Sequence, residues 1–212
     1  MDQPVKWFEE NKFIAVIRSG SSEDAEKMIK AATAGGFRLF EISMQTPHAN
    51  RLLETYSKKE GCFFGAGSVM DGEMAQRAIN AGAKFLASLY TDREVINVAK
   101  NNDSFVIQGA STPTEAFNAY QFGADLVRIF PAGFLGGPAY IKSLRSALPF
   151  IKIIATGDVT LENANEYLKY CVAVTVGKAV FEKSLLRSDN WSEITDRAKQ
   201  LTQKLDSLKV AK

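Results

Sequence analysis

Glu41 and Arg128 are the charged residues most at odds with their surroundings in this 212-residue chain. Each lies in a short run of strand formers, Leu39-Phe40-Glu41-Ile42-Ser43 and Leu126-Val127-Arg128-Ile129-Phe130, where side chains alternate between two faces. Alternation sets Glu41 with Leu39 and Ser43, and Arg128 with Leu126 and Phe130, so each charge shares a face with apolar neighbours. A charge carried into an apolar layer needs an opposite partner or a task. A carboxylate there can move a proton, and a guanidinium can hold an enolate or carboxylate oxygen. The bland alternative is mutual neutralisation, with Arg38 as a second available partner for Glu41.

Other chemistry-bearing residues are sparse. His48 is the only histidine; it follows Pro47 at an expected helix start and reads as a surface residue. One histidine, two distant cysteines and no acidic cluster at ligand spacing assemble no zinc or magnesium cage, so neither metal nor cofactor is expected. Cys62 and Cys171 sit in apolar, strand-like stretches and read as buried reduced thiols, in keeping with a cytoplasmic location. Hydrophobic residues make up 46% and charged residues 24%, the balance of one soluble globular domain spanning 1–212. The formal charge of +2 is spread among acidic residues, which points away from nucleic acid and from membrane surfaces. No run has the length of a membrane span, and Met1 to Asn11 lacks the apolar core of a signal peptide. Small metabolites are the expected ligands.

The elements that must position these residues form a repeating unit. An amphipathic helix ends at glycine and a short strand follows at once, as at Ala34-Gly35-Gly36-Phe37, Ala81-Gly82-Ala83-Lys84 and Phe122-Gly123-Ala124-Asp125. Strand-like runs fall near 13–18, 37–43, 62–66, 84–88, 104–108, 126–130, 151–155 and 172–176. Helical patterns lie between them, at 22–34, 47–58, 71–81, 91–100, 114–122, 137–147 and 160–169, with a helical segment at the amino end and a last helix at about 191–208. Eight such units predict an α/β fold, a single-domain (β/α)8 TIM barrel with its reactive groups at the carboxyl ends of the strands. A doubly wound open sheet would want a glycine-rich loop after the first strand, and Arg18-Ser19-Gly20-Ser21-Ser22 does not supply one. The strand ends to weigh are therefore Arg18, Glu41, Ser68, Ser88, Gln108, Arg128, Thr156-Gly157-Asp158 and Gly177-Lys178.

Six motifs follow one another at these ends: Phe40-Glu41-Ile42-Ser43, Gly65-Ala66-Gly67-Ser68-Val69, Thr112-Pro113-Thr114-Glu115, Ile129-Phe130-Pro131-Ala132, Gly136-Gly137 and Ala155-Thr156-Gly157. Together they resemble the successive strand-end motifs of the 2-keto-3-deoxy-6-phosphogluconate/4-hydroxy-2-oxoglutarate (KDPG/KHG) aldolases, over about residues 7 to 186. The resemblance implies a lyase for small 2-keto acids, phosphorylated or not, and a homotrimer. It implies a proton-shuttling role for Glu41, substrate contacts from Arg18, Ser68 and Gln108, and a phosphate cradle at Gly157, Asp158, Gly177 and Lys178 built on backbone amides.

The chain departs from that family at its reactive centre. Where the family carries a lysine that forms a Schiff base with the ketone, this chain has Arg128. Imine formation needs a neutral amine, and guanidinium stays charged. Asp158 stands where the family has glycine and would repel a phosphate unless a cation offsets it, a task Lys178 can perform by pairing with it. Three readings follow: a lyase in which Glu41 moves protons while Arg128 or Lys178 clamps an enolate; a catalytically silent relative that binds a keto acid or sugar-acid phosphate, with Glu41 and Arg128 locked together; and imine chemistry moved to Lys178.

Overall fold

A computed structural model describes the backbone of residues 3–210 and the side chains of 4–204. Eight strands, β1 (Phe13–Ile17), β2 (Leu39–Ser43), β3 (Phe63–Gly67), β4 (Phe85–Ala87), β5 (Phe105–Ala110), β6 (Leu126–Ile129), β7 (Ile153–Ala155) and β8 (Ala173–Val176), pair in parallel and close into a barrel. Closure is made by β8 on β1, with Ile14 opposite Thr175. The expected (β/α)8 barrel is the observed fold.

The helices are α1 (Gln3–Asn11), α2 (Ser22–Ala34), α3 (Ala49–Tyr56), α4 (Gly72–Asn80), α5 (Arg93–Asn101), α6 (Pro113–Gln121), α7 (Gly137–Ala147), α8 (Ala164–Leu168), α9 (Lys183–Arg187) and α10 (Trp191–Val210). Side-chain caps start several of them: Ser21, Asp71, Asp92 and Thr112 each accept a backbone N–H three residues on. Gly36, Gly82 and Gly123 turn helices into strands with φ of +95°, +91° and +104°, values that L side chains rarely adopt. Three helices differ from expectation, α9 being one that no sequence pattern marks. Pro47 lies ahead of α3, whose amino-terminal cap is His48 in a left-handed conformation (φ 57°). The pattern at 160–169 yields only α8, because Thr160 Oγ1 accepts the N–H groups of Glu162 and Asn163 and holds the first residues in a turn.

Strand alternation divides the core in two. Ile14, Leu39, Phe85, Ala87, Phe105, Ile107, Leu126, Ile154 and Ala173 fill the lumen, while the intervening residues pack under the helices. Helix α1 plugs the amino end of the lumen. Its Phe8 is fully buried, stacks on Phe105 with ring centroids 5.4 Å apart and meets Phe85 edge-on at 5.3 Å. With that end sealed, the polar lumen residues Glu41, Ser43, Arg128 and Thr175 lie toward the carboxyl-end mouth.

Candidate functional site

Glu41 on β2 and Arg128 on β6 reach across the lumen and meet. Arg128 Nη1 donates to Glu41 Oε1 at 3.0 Å and Nη2 donates to Oε2, a two-bond fork between residues 3% and 1% exposed. Gly67 makes room for it: a Cβ there would stand 2.2 Å from Glu41 Oε1. Arg38, the other partner considered for Glu41, instead donates to the carbonyls of Thr33 and Phe37. Two buried polar atoms near the fork have no hydrogen-bond partner among the described residues, Arg128 Nε and Thr156 Oγ1.

The mouth above the fork is edged by Val16, Ser68, Phe130, Thr156 and Gly177, all half-buried at strand ends whose neighbours are mostly buried. Ser68 takes a left-handed backbone (φ 55°), and its hydroxyl accepts from Ser43 Oγ at 3.3 Å. Arg18 stands exposed on the rim. Behind it Thr46, which sequence reasoning passed over, is 3% exposed and bridges two loops: it accepts Ser19 N–H and donates to the Ile17 carbonyl. After β7, Gly157 and Asp158 both have positive φ, +96° and +57°. Their loop is fastened to the loop after β6, since Ala132 N–H donates to the Thr156 carbonyl at 2.8 Å and Gly133 N–H to that of Gly157 at 3.3 Å.

Two expectations require correction. Gln108 does not close its strand. β5 runs on to Ala110, and with Phe105 and Ile107 in the lumen, Gln108 falls on the helix side. There it is fully buried, accepting the Asp92 N–H at 2.7 Å and donating to Ser88 Oγ at 3.3 Å, where it supports the start of α5. Asp158 and Lys178, for which a mutual ion pair and a ligand site are equal readings of the sequence, make no ion pair with each other among the described residues. Both are exposed, and Asp158 lies over Gly133, where a Cβ would stand 2.5 Å from the aspartate Cβ. The remaining rim residues, Arg18, Ser68, Gly157, Gly177 and Lys178, do stand at strand ends around one opening. Thr156 was legible as a strand end, but its lumen-facing hydroxyl needed the register to be seen. Among the described residues no three His, Cys, Asp or Glu side chains gather where a metal would bind, and no helix is long and apolar enough to cross a membrane.

A closed eight-stranded barrel, sealed by a helix at one end and carrying its buried charges toward the other, belongs to the (β/α)8 class that binds ligands at strand carboxyl ends. Within that class, residues 5–197 match the KDPG and KHG aldolase family, and the chain belongs to it. A probable 2-dehydro-3-deoxy-6-phosphogalactonate aldolase of Rhizobium meliloti is 34% identical over 161 residues, covering 74% of this chain and 76% of the relative. The 2-dehydro-3-deoxy-phosphogluconate aldolase of Pseudomonas aeruginosa is 28% identical over 187 residues, covering 87% and 85%. Among solved structures, the KDPG aldolase of Legionella pneumophila, with pyruvate captured as a covalent carbinolamine, is 27% identical with a TM-score of 0.82, covering 94% of this chain and 98% of that one.

Proposed function

We propose that this chain is a keto-acid-binding member of the aldolase family that does not work through an imine. Its ligand is a small 2-keto acid, phosphorylated forms included, held at the carboxyl-end mouth by Arg18, Ser68 and the loops carrying Gly157, Gly177 and Lys178. The observation that supports this reading is the buried fork between Arg128 and Glu41. A guanidinium offers no neutral amine to attack a ketone, and a carboxylate with both oxygens engaged is a poor acceptor for a substrate proton. The chain assembles as a homotrimer, the state that the family resemblance implies; the large apolar side chains exposed beside the mouth support association.

Borohydride reduction in the presence of pyruvate tests the reading. The expected result is saturable pyruvate binding, no stable adduct on any lysine, and no cleavage of 2-keto-3-deoxy-6-phosphogluconate or 4-hydroxy-2-oxoglutarate. An adduct on Lys178 would overturn it in favour of a relocated imine. Cleavage without an adduct would select a second reading, favoured by the unpartnered Arg128 Nε: a carbon-carbon lyase in which the guanidinium stabilises the enolate and Glu41 moves the proton.

A further inference from the structure

Buried polar groups without partners are few in folded proteins, because each keeps the full penalty of leaving water. Two occur on neighbouring strands of this lumen, Arg128 Nε and Thr156 Oγ1. Arg128 is level with Ile154 across the β6–β7 pair, and Thr156 follows two residues further on. The Thr156 N–H donates to the Ile129 carbonyl at 3.0 Å, so the ladder continues through it and alternation turns its side chain to the lumen with Ile154. The terminal nitrogens of Arg128 already serve Glu41. The Nε–H is the donor left without an acceptor, and the threonine hydroxyl can donate or accept.

We infer that Arg128 Nε and Thr156 Oγ1 form a seat for the C2 oxygen of the ligand, and that the site therefore takes 2-hydroxy acids as well as 2-keto acids. This rests on the binding reading given above. A ketone oxygen accepts from both groups. A hydroxyl oxygen accepts from Nε and returns its own proton to Thr156 Oγ1, leaving no atom of the seat unpaired. An amine that must attack a carbonyl carbon cannot engage an alcohol, whereas a pair of hydrogen bonds separates the two only weakly. Ser68, Phe130, Thr156 and Gly177, at the strand ends above the seat, are half-buried, whereas Arg128 itself is fully buried.

Calorimetric titration of the full chain with pyruvate and with lactate tests this. Both acids are expected to bind, with affinities within about threefold of each other. Thr156→Val is expected to weaken both by about tenfold, the size of one buried hydrogen bond left unmade, and Thr156→Ser to restore them. Pyruvate binding with lactate rejected would overturn this inference and leave the keto-acid reading intact. Thr156→Val binding both acids as the wild type does would also overturn it, and would mean that the two groups hold only water. If neither acid binds the wild type, both readings fall.

Discussion

Removing one member of the Glu41–Arg128 fork separates the pair's own contribution from the penalty of a stranded charge. With side chains 4% and 1% exposed, neither group can turn to water when its partner is lost. Glu41→Gln is expected to lower unfolding free energy by about 3–5 kcal/mol, while the double replacement Glu41→Gln/Arg128→Met is expected to recover much of that loss. Urea unfolding of the three proteins measures both, and a double variant no more stable than the single would sink the claim that an uncompensated charge is the cause. Cys171 offers a second test at this scale. Burial pushes its thiol up to about 12 from an ordinary 9.0. Below pH 9 folded and unfolded chains both keep the proton; above it the unfolded chain releases it first, so stability falls between pH 9 and 12. Across that window the slope should reach about 1 kcal/mol per pH unit. Urea midpoints measured from pH 8 to 10.5 should decline less steeply for Cys171→Ala than for the wild type; parallel lines would refute the assignment. At this scale the sequence exposed which residues are charged in apolar runs, but not their partners. Glu41 had two candidate arginines in the sequence alone, and only the lumen geometry selects Arg128. Asp158 and Lys178 looked complementary because they close neighbouring strands, yet the positive φ of Asp158 turns its side chain over Gly133.

At the scale of elements, period and punctuation were enough to find the strands. The eight apolar runs coincide with β1 to β8 to within a few residues, and α2 and α7 occupy the ranges their patterns define. What failed was phase at strand ends. Gln108 ends its apolar run, but it alternates with the lumen residues Phe105 and Ile107 and so faces the helices, and β5 continues two residues beyond it. Short helices set by local turns strain a period-based reading, since five residues show little more than one turn: α8 is shorter than its pattern, and α9 has none. Helix α1 has a function that periodicity does not reveal. The apolar face is visible in the sequence, but the rings that Phe8 meets come from β3, β4 and β5, as Phe63, Phe85 and Phe105. Phe8→Ala would leave a void among three rings, and a loss of about 3–5 kcal/mol is expected in urea unfolding. A loss under 1 kcal/mol would mean that α1 lies on the barrel without closing it.

At the scale of the whole molecule, six of the seven exposed large apolar side chains among the described residues fall in two groups, and the seventh, Phe134, lies on the loop after β6. Phe117, Tyr120 and Phe150 form one aromatic patch; Met70, Leu89 and Tyr90 form another on the loops after β3 and β4. The loops that carry the second patch are tied together by hydrogen bonds. Tyr90 Oη donates to the Met70 carbonyl at 2.7 Å, Thr91 Oγ1 to the Gly109 carbonyl at 2.9 Å, and Gly109 N–H to the Tyr90 carbonyl at 3.2 Å. Gly109 permits that closeness, since a Cβ there would stand 2.0 Å from the Leu89 carbonyl carbon. A patch on loops already tied together loses less entropy on association, which favours it over the aromatic patch as the contact of the proposed trimer. Light scattering of the wild type should then give three times the mass of one chain, Leu89→Asp should give a single chain, and Phe150→Asp should leave the trimer whole. A monomeric wild type would remove the trimer from the proposal; a trimer that survives Leu89→Asp and dissociates with Phe150→Asp would move the contact to the aromatic patch, away from the mouth.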